Sequence, residues 1–432
     1  MLTVACSMPS ATQEDFARLR AREYARLDAQ DCAYLDFTGA ALYPESLVKG
    51  HAALLCNSTP GNPHADNPTS LISTGWIEAS RDRLLRYLDA DARDYAVCFT
   101  ANATAAIALV AAAFRFHRNA PLILSADNHN SVNGIREYAR RAGAPVHVIG
   151  LDGELRLSNP GDTLAALRRS TTGRGLFAYP AQSNFSGVRH PLSLVGAAQS
   201  LGLRVLLDAA AYLPTHRLSL RDTRADFVAL SFYKIFGYPT GIGALVARRD
   251  ALTELDRPWF SGGTVDFVSV RHMTHRLRPG EAAFEDGTAN FLGVAAVPAG
   301  LDHVERIGIA AAGEHATTLA MTLIDSLGAL RHANGGAAAR VYGPTSRYER
   351  GATVAFNLLN ARAEVIPFAA VQECAARARV SVRGGCFCNP GASEAAFGVT
   401  AEPVGAIRAS FGAPSNVRDV QRLLAVCESF LE

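Results

Sequence analysis

Two of the 432 residues are lysine, Lys49 and Lys234, and arginine fills nearly every other cationic position. Lysine is ordinarily among the commonest residues. Arginine replaces it as a solvated charge but not as an amine nucleophile, because the guanidinium stays protonated. Lys234 lies in Ser231-Phe232-Tyr233-Lys234-Ile235-Phe236-Gly237, between an apolar run and a Gly/Pro loop. A lysine kept there is a candidate for covalent chemistry, and the natural form is a Schiff base to pyridoxal phosphate. Lys49, beside Pro44-Glu45-Ser46, reads as an ordinary surface lysine.

That cofactor needs a phosphate cradle, a ring clamp, a carboxylate at the pyridine nitrogen and a lysine. Asp208 closes the run Val205-Leu206-Leu207, an expensive place for a carboxylate without a partner. It is a candidate for the ring nitrogen, or else a structural Asp. Thr104 and the amides around it sit where a helix would start and bind a dianion, or where an ordinary N-cap would stand. His129 is a candidate to stack on the ring, and Asn184 to donate to its phenolic oxygen.

A second constellation lies in Val382-Arg383-Gly384-Gly385-Cys386-Phe387-Cys388-Asn389-Pro390-Gly391. Gly and Pro on both sides predict an exposed loop, whereas structural free cysteine is usually buried and inert. Zinc is poorly served, since Cys-x-Cys has no second ligand pair nearby, and a disulfide across one residue would be strained. A reactive thiolate is the sharper reading. Arg408, in the strand-like Ile407-Arg408-Ala409-Ser410-Phe411, suits a bidentate clamp on a substrate carboxylate, with a structural salt bridge as the alternative.

The elements that must position these residues read as α/β. Strands are predicted at 95–100, 121–125, 145–149, 175–180, 203–208, 226–231 and 242–247, separated by helical segments. Near-continuous apolar runs of this kind predict a mostly parallel sheet of seven strands covered on both faces, its last pair antiparallel at one edge. Ligands bind beyond the carboxyl ends of such strands, and five of the ends carry the candidate residues. An amphipathic helix is predicted at 12–28, with Phe16, Leu19, Tyr24 and Leu27 on one side, and a Pro/Asn-rich loop at 57–69. A smaller α+β unit has helices near 296–330 and 367–378 and strands near 353–359 and 407–411. The expected division is a large domain over 30–295 and a small one from 1–29 with 296–432.

Composition narrows the class. The chain is 49% hydrophobic and 19% charged with a net charge of +2, which supports a large core and gives no footprint for nucleic acid. The apolar stretch 104–114 is too short to span a membrane. The start has no basic region followed by an apolar one. Eight cysteines in this length make no disulfide framework. A reducing cytoplasm is the expected location.

Taken together the residues resemble class V pyridoxal-phosphate enzymes, within them the cysteine desulfurase and molybdenum cofactor sulfurase group, from about residue 33 onward. The segments that carry this are Leu35-Asp36-Phe37-Thr38-Gly39-Ala40, Phe99-Thr100-Ala101-Asn102-Ala103-Thr104, Asp127-Asn128-His129-Asn130-Ser131 and Gln182-Ser183-Asn184-Phe185-Ser186-Gly187. Ser231-Phe232-Tyr233-Lys234 and Gly385-Cys386-Phe387-Cys388-Asn389-Pro390-Gly391 complete the set. The resemblance implies fold type I of the pyridoxal-phosphate transferases. It implies cofactor contacts from Lys234, Asp208, His129, Asn102, Ala103, Thr104, Asn184, Ser231, Tyr233 and Ala211. Thr288, in Asp286-Gly287-Thr288, would reach the phosphate of a neighbouring subunit in a homodimer. Arg408, Asn184, Arg383 and Ala40 would bind substrate. Lys234, His129 and Cys388 would be catalytic, with Cys388 accepting sulfur, and no metal is implied.

There are departures. Tyr233 stands where shorter desulfurases have histidine, and Ala211 where many members have glutamine. Phe37 and Ser393 also differ from the sulfurase pattern, and the further domain of the sulfurases lies outside the resemblance. The leading expectation is a desulfurase converting L-cysteine to L-alanine, with sulfur held as a persulfide on Cys388 for a sulfur-acceptor protein. One alternative is C–S lysis, decarboxylation or aldol-type chemistry on the same cofactor, with Cys388 idle. The other is a non-catalytic sulfur-relay scaffold.

Overall fold

The computed structural model describes residues 13–170, 174–398 and 404–432. Residues 1–6, read above for a leader, and the first residue of the helix expected at 12–28 lie outside them.

Seven strands form the central sheet: β1 Tyr95–Thr100, β2 Leu122–Ser125, β3 Val146–Ile149, β4 Leu176–Pro180, β5 Arg204–Asp208, β6 Phe227–Ser231 and β7 Gly243–Arg248. Their order is β1-β7-β6-β5-β4-β2-β3. Each agrees with its predicted run to within a residue at either end. β4, β5 and β6 are buried along their whole length, as strands covered on both faces must be, while edge strand β3 exposes Val148. Neighbours from β6 across to β3 run parallel.

The antiparallel strand is not at the edge. β7 lies one place in and runs antiparallel to both β6 and β1. Only a one-turn helix, Phe232–Phe236, and a short loop link β6 to β7, too little for the crossover a parallel return needs. Two antiparallel steps restore the direction, so β1 ends on the same side as β2, β4, β5 and β6.

The predicted helix at 12–28 is two helices, Gln13–Glu23 and Arg26–Ala29, broken at Tyr24. Its apolar side survives the break: Phe16, Leu19, Tyr24 and Leu27 pack together against Ala312. The predicted helix at 296–330 is likewise two, Val297–Ile307 and Ile309–Ala329, separated at Gly308, whose φ of 84° suits glycine. Helices Glu45–Cys56 and Pro68–Tyr87 flank the predicted loop and shorten it, the second capped by Asn67.

A second sheet, β8 Ala339–Tyr342, β9 Thr353–Leu358, β10 Arg383–Gly385 and β11 Ala406–Ser410, is antiparallel in the order β8-β9-β11-β10. Leu323, Val354, Phe356, Ile407 and Leu423 are among the residues of its core. Two stretches pack across the expected domain boundaries. Ala33 and Leu35 join this smaller core, through the pairing of Ala33–Tyr34 with Val380–Ser381. Val297, Leu301 and Val304 join the core of the large sheet.

Among the described residues no single helix is long and apolar enough to cross a membrane. Their seven cysteines are all free, and no cluster of His, Cys, Asp or Glu could hold a metal ion.

Candidate active site

The carboxyl ends of the central strands enclose a cavity of about 370 Å³. Lys234, Asp208, His129, Asn184, Ser231, Tyr233, Ala211, Asn102, Ala103 and Thr104 all line it. Ten of the residues singled out in the sequence thus meet in one place.

Lys234 is the middle residue of helix Phe232–Phe236, which follows β6 directly. Gly237 ends that helix at φ 81°, where any side chain would collide with the backbone of Leu42 and Tyr43. Lys234 makes no ion pair or hydrogen bond among the described residues. Burial holds its amine below the ordinary lysine range; Arg408 and Arg383 push the same way, and Asp208 and Asp36 oppose them. An amine shifted this way suits nucleophilic chemistry. Lys49, by contrast, is exposed and paired with Glu45.

Asp208 ends β5 and is 9% exposed. Its Oδ1 accepts from the Ala210 amide at 3.0 Å, and no cation pairs with it among the described residues. Such a carboxylate fits a protonated ring nitrogen.

His129 opens the short helix Asn130–Asn133. Its Nδ1 accepts from the Ser131 amide at 3.1 Å and lies 2.9 Å from Ser131 Oγ, so the proton belongs on Nε2. Burial first, then Lys234, lowers its pKa and keeps the imidazole neutral.

The first turn of helix Ala103–Ala113 faces the same cavity. Asn102 caps it through the Ala105 amide at 2.9 Å, and the Ala103 amide donates to Ser231 Oγ at 2.8 Å. The cap is therefore Asn102, not Thr104. Thr104 Oγ1 lies 2.7 Å from Ser131 Oγ, and its amide keeps no acceptor among the described residues. Two hydroxyls and an open amide at a helix start fit a phosphate. Ser131 went unassigned in the sequence, although it follows His129 by two residues.

Asn184 is a junction. Its Nδ2 donates to the Phe387 carbonyl at 2.7 Å, its Oδ1 accepts from Asn389 Nδ2 at 3.0 Å, and its own carbonyl accepts from Arg408 at 2.9 Å. One N–H of the side chain is left for a cavity ligand. Asn389 also donates to Asp127 at 2.6 Å, a fully buried carboxylate that bonds Ser183 and His190. These links bring the Cys388 loop against the cavity. Phe387 and Cys388 both have φ 56°, and the Asn130 amide donates to the Cys388 carbonyl at 2.7 Å. The Cys388 side chain is exposed, as the sequence predicted.

Arg408 and Arg383 do not line the cavity. They are register partners on β11 and β10 and share the carboxylate of Asp36, Arg408 at 2.9 Å and Arg383 at 2.6 Å. Arg408 is 3% exposed with an unpartnered Nε, and burial lowers its pKa. Arg383 is half exposed, and its bonds to Asp36 raise its pKa. Asp36 had no role assigned in the sequence. Its signal was a carboxylate inside Tyr34-Leu35-Asp36-Phe37.

Ala40 also stands off the cavity. Its amide donates to the Asp36 carbonyl, its carbonyl accepts from Tyr34 Oη at 2.9 Å, and Ala41 bonds the Tyr233 carbonyl. Thr288 lines a neighbouring cavity of about 590 Å³ that touches the first only at Gly241. There it accepts from Asn62 at 3.4 Å.

Comparison with known proteins accounts for most of the chain. The sequence model described as Aminotransferase class-V matches residues 33–423. Molybdenum cofactor sulfurase of Homo sapiens is 35% identical over 456 residues, 94% of this chain and 50% of that protein. The Solanum lycopersicum sulfurase is 34% identical over 467 residues, 95% of this chain and 56% of that one. The chain thus spans about half the length of the curated relatives it matches. Among solved structures, a cysteine desulfurase from Thermococcus onnurineus NA1 superposes with a TM-score of 0.85 at 24% identity, over 98% of this chain and 99% of that chain. The Escherichia coli cysteine desulfurase CsdA gives 0.80 at 24% identity, over 96% and 98%.

Proposed function

Since the chain belongs to the class V aminotransferase family, we propose that it is a pyridoxal-phosphate-dependent desulfurase that removes sulfur from L-cysteine and holds it on Cys388. The observation that carries this is one cavity holding an unpaired, half-buried lysine, an unpaired carboxylate and a neutral histidine, with an exposed thiol on the loop beside it. The sulfurases and desulfurases named above support the sulfur chemistry.

The residues fit the cofactor. Lys234 would carry it, Asp208 would meet its ring nitrogen and His129 its ring face. Thr104, Ser131 and Ser231 would surround its phosphate, and the free N–H of Asn184 would reach its phenolic oxygen. Bound there, pyridoxal phosphate supplies an electron sink for the bonds at the substrate α-carbon.

The remaining steps belong to the chain. Arg408 and Arg383 hold the substrate carboxylate where Asp36 now bridges them. Lys234, once released, moves the proton at the α-carbon. Cys388 as thiolate attacks the substrate sulfur; the S–S bond forms as the C–S bond breaks, and the product takes up a proton and leaves as alanine. The hydrogen bonds from Asn184 to the Phe387 carbonyl and from Asn130 to the Cys388 carbonyl hold the loop beside the cavity, from where the exposed thiol would reach the substrate.

Three wider parts of the reading are proposed with it. A second copy of the chain covers the 590 Å³ cavity, where Trp259 is 57% exposed, and brings Thr288 to the neighbouring site. A sulfur acceptor collects the persulfide at the exposed Cys388. A reducing cytoplasm suits the free thiols.

The test is simultaneous alanine and sulfide release from L-cysteine with a thiol reductant, for wild type and Cys388→Ser. Equal yields in wild type, lost in the variant, support the reading. Pyruvate and ammonia in place of alanine, or turnover that survives the substitution, would overturn it in favour of C–S lysis.

A further inference from the structure

We propose that the chain carries a second anion site between its two units, shaped for a small organic phosphate monoester. The site is a cavity of about 310 Å³ that shares no lining residue with the Lys234 cavity. Arg189 and Arg217 reach it from the large unit, Arg347 and Arg350 from the small one. Glu314 is the only carboxylate in its lining, and it pairs with Arg347.

Arg189, Arg217 and Arg350 form no ion pair among the described residues. Arg350 is 1% exposed. Its two terminal nitrogens donate to the backbone carbonyls of Pro344 and Thr353, which spend donors but cancel no charge. The Nε groups of Arg350 and Arg189 have no acceptor among the described residues. Buried arginines are almost always paired, and buried polar hydrogens nearly always find a partner. A role as staple for the loop at 344–353 explains Arg350 alone; it leaves Arg189 and Arg217 without a reason to converge.

The surroundings carry the same sign. Burial and Arg189 hold His216 down to about 4, and burial with Arg156 pushes Arg350 down to about 10. The helix Ile309–Ala329 brings Ala310 of its first turn to the cavity and has no acidic residue in that turn, so its positive end adds to the arginines. The space would hold about ten waters, more than a bare phosphate ion requires. Tyr212 and His216, stacked at 4.9 Å and 27°, supply a flat wall for an organic remainder. Dianion on arginines and carbon against the ring pair is the chemistry of a phosphate monoester.

The test is calorimetric titration of the enzyme loaded with pyridoxal phosphate and gel-filtered, which leaves its other anion site filled. The probe is glycerol 3-phosphate, with inorganic phosphate and glycerol as comparators at equal ionic strength. Saturable one-site binding of glycerol 3-phosphate is expected, about tenfold tighter than inorganic phosphate and about tenfold weaker in Arg217→Gln and in Arg189→Gln. Arg217 is exposed, so its variant keeps the fold, which an unchanged unfolding midpoint without ligand would verify. No saturable heat at millimolar probe, equal binding of inorganic phosphate, or unchanged binding in Arg217→Gln would each overturn the proposal.

Discussion

The side-chain amide of Asn184 donates to the backbone carbonyl of Phe387 across 2.7 Å. That bond joins the floor of the Lys234 cavity to the loop that carries Cys388. The loop needs such a tie, because Phe387 and Cys388 both adopt left-handed backbone angles, each costing a residue with a side chain about 1–2 kcal/mol.

Asn184→Ala removes the bond to Phe387 and the acceptor for Asn389. A hydrogen bond of this kind is worth about 1 kcal/mol, so the tied loop conformation should lose about fivefold in population. Single-turnover persulfide formation on Cys388 is expected to slow by about that factor. An unchanged rate, with cofactor absorbance retained, would show that the bond does not aim the thiol.

Asp36→Asn removes the charge that Arg408 and Arg383 share. Leaving a buried arginine without its partner costs about 3–5 kcal/mol. The denaturant midpoint is expected to fall accordingly, with no change in slope. L-cysteine should restore part of the loss, since its carboxylate can take the vacated place. A variant as stable as wild type would mean that Asp36 does not hold the pair.

Lys234 gives a pH dependence to the protein freed of cofactor. Its folded pKa lies below the ordinary lysine value of 10.5, so below that pH the unfolded chain binds a proton that the folded one resists. Stability is therefore lost as pH falls from 10.5 toward the folded pKa. Lys234→Met should raise the melting temperature at neutral pH, by a margin that shrinks as pH approaches 10.5. A margin that is constant with pH would point to packing instead.

His303 acts in the acid range. It is 5% exposed, bonds Tyr24 Oη at 3.2 Å, and is pushed down to about 4 by burial. Its unfolded form takes up a proton near 6.5, so stability is lost as pH falls from 6.5 toward 4. His303→Gln is expected to flatten that part of the profile in thermal melts. An unaltered acid limb would assign the loss to other groups, such as His216, also held at about 4.

The sheet was legible because its strands are buried on both faces, which writes each as a continuous apolar run. The place of β7 was not, since strand order follows from linker length and packing rather than composition. The helix breaks at Tyr24 and Gly308 escaped for a related reason: the apolar side continues through both, so periodicity reads them as unbroken.

Chemistry by residue type was open to the sequence alone. A lysine kept among arginines, a carboxylate ending an apolar strand and a thiol between glycines are each costly unless used; the first two point to pyridoxal-phosphate chemistry and the third to a reactive thiolate. Which neighbours complete the site was decided only in three dimensions. Asp36 lies far along the chain from Arg383 and Arg408, Asp127 from Asn389, and Ser131 from Thr104. Those pairings exist because the sheet ends and the smaller unit converge, and a charge or hydrogen bond is set by distance in space, which chain order does not record.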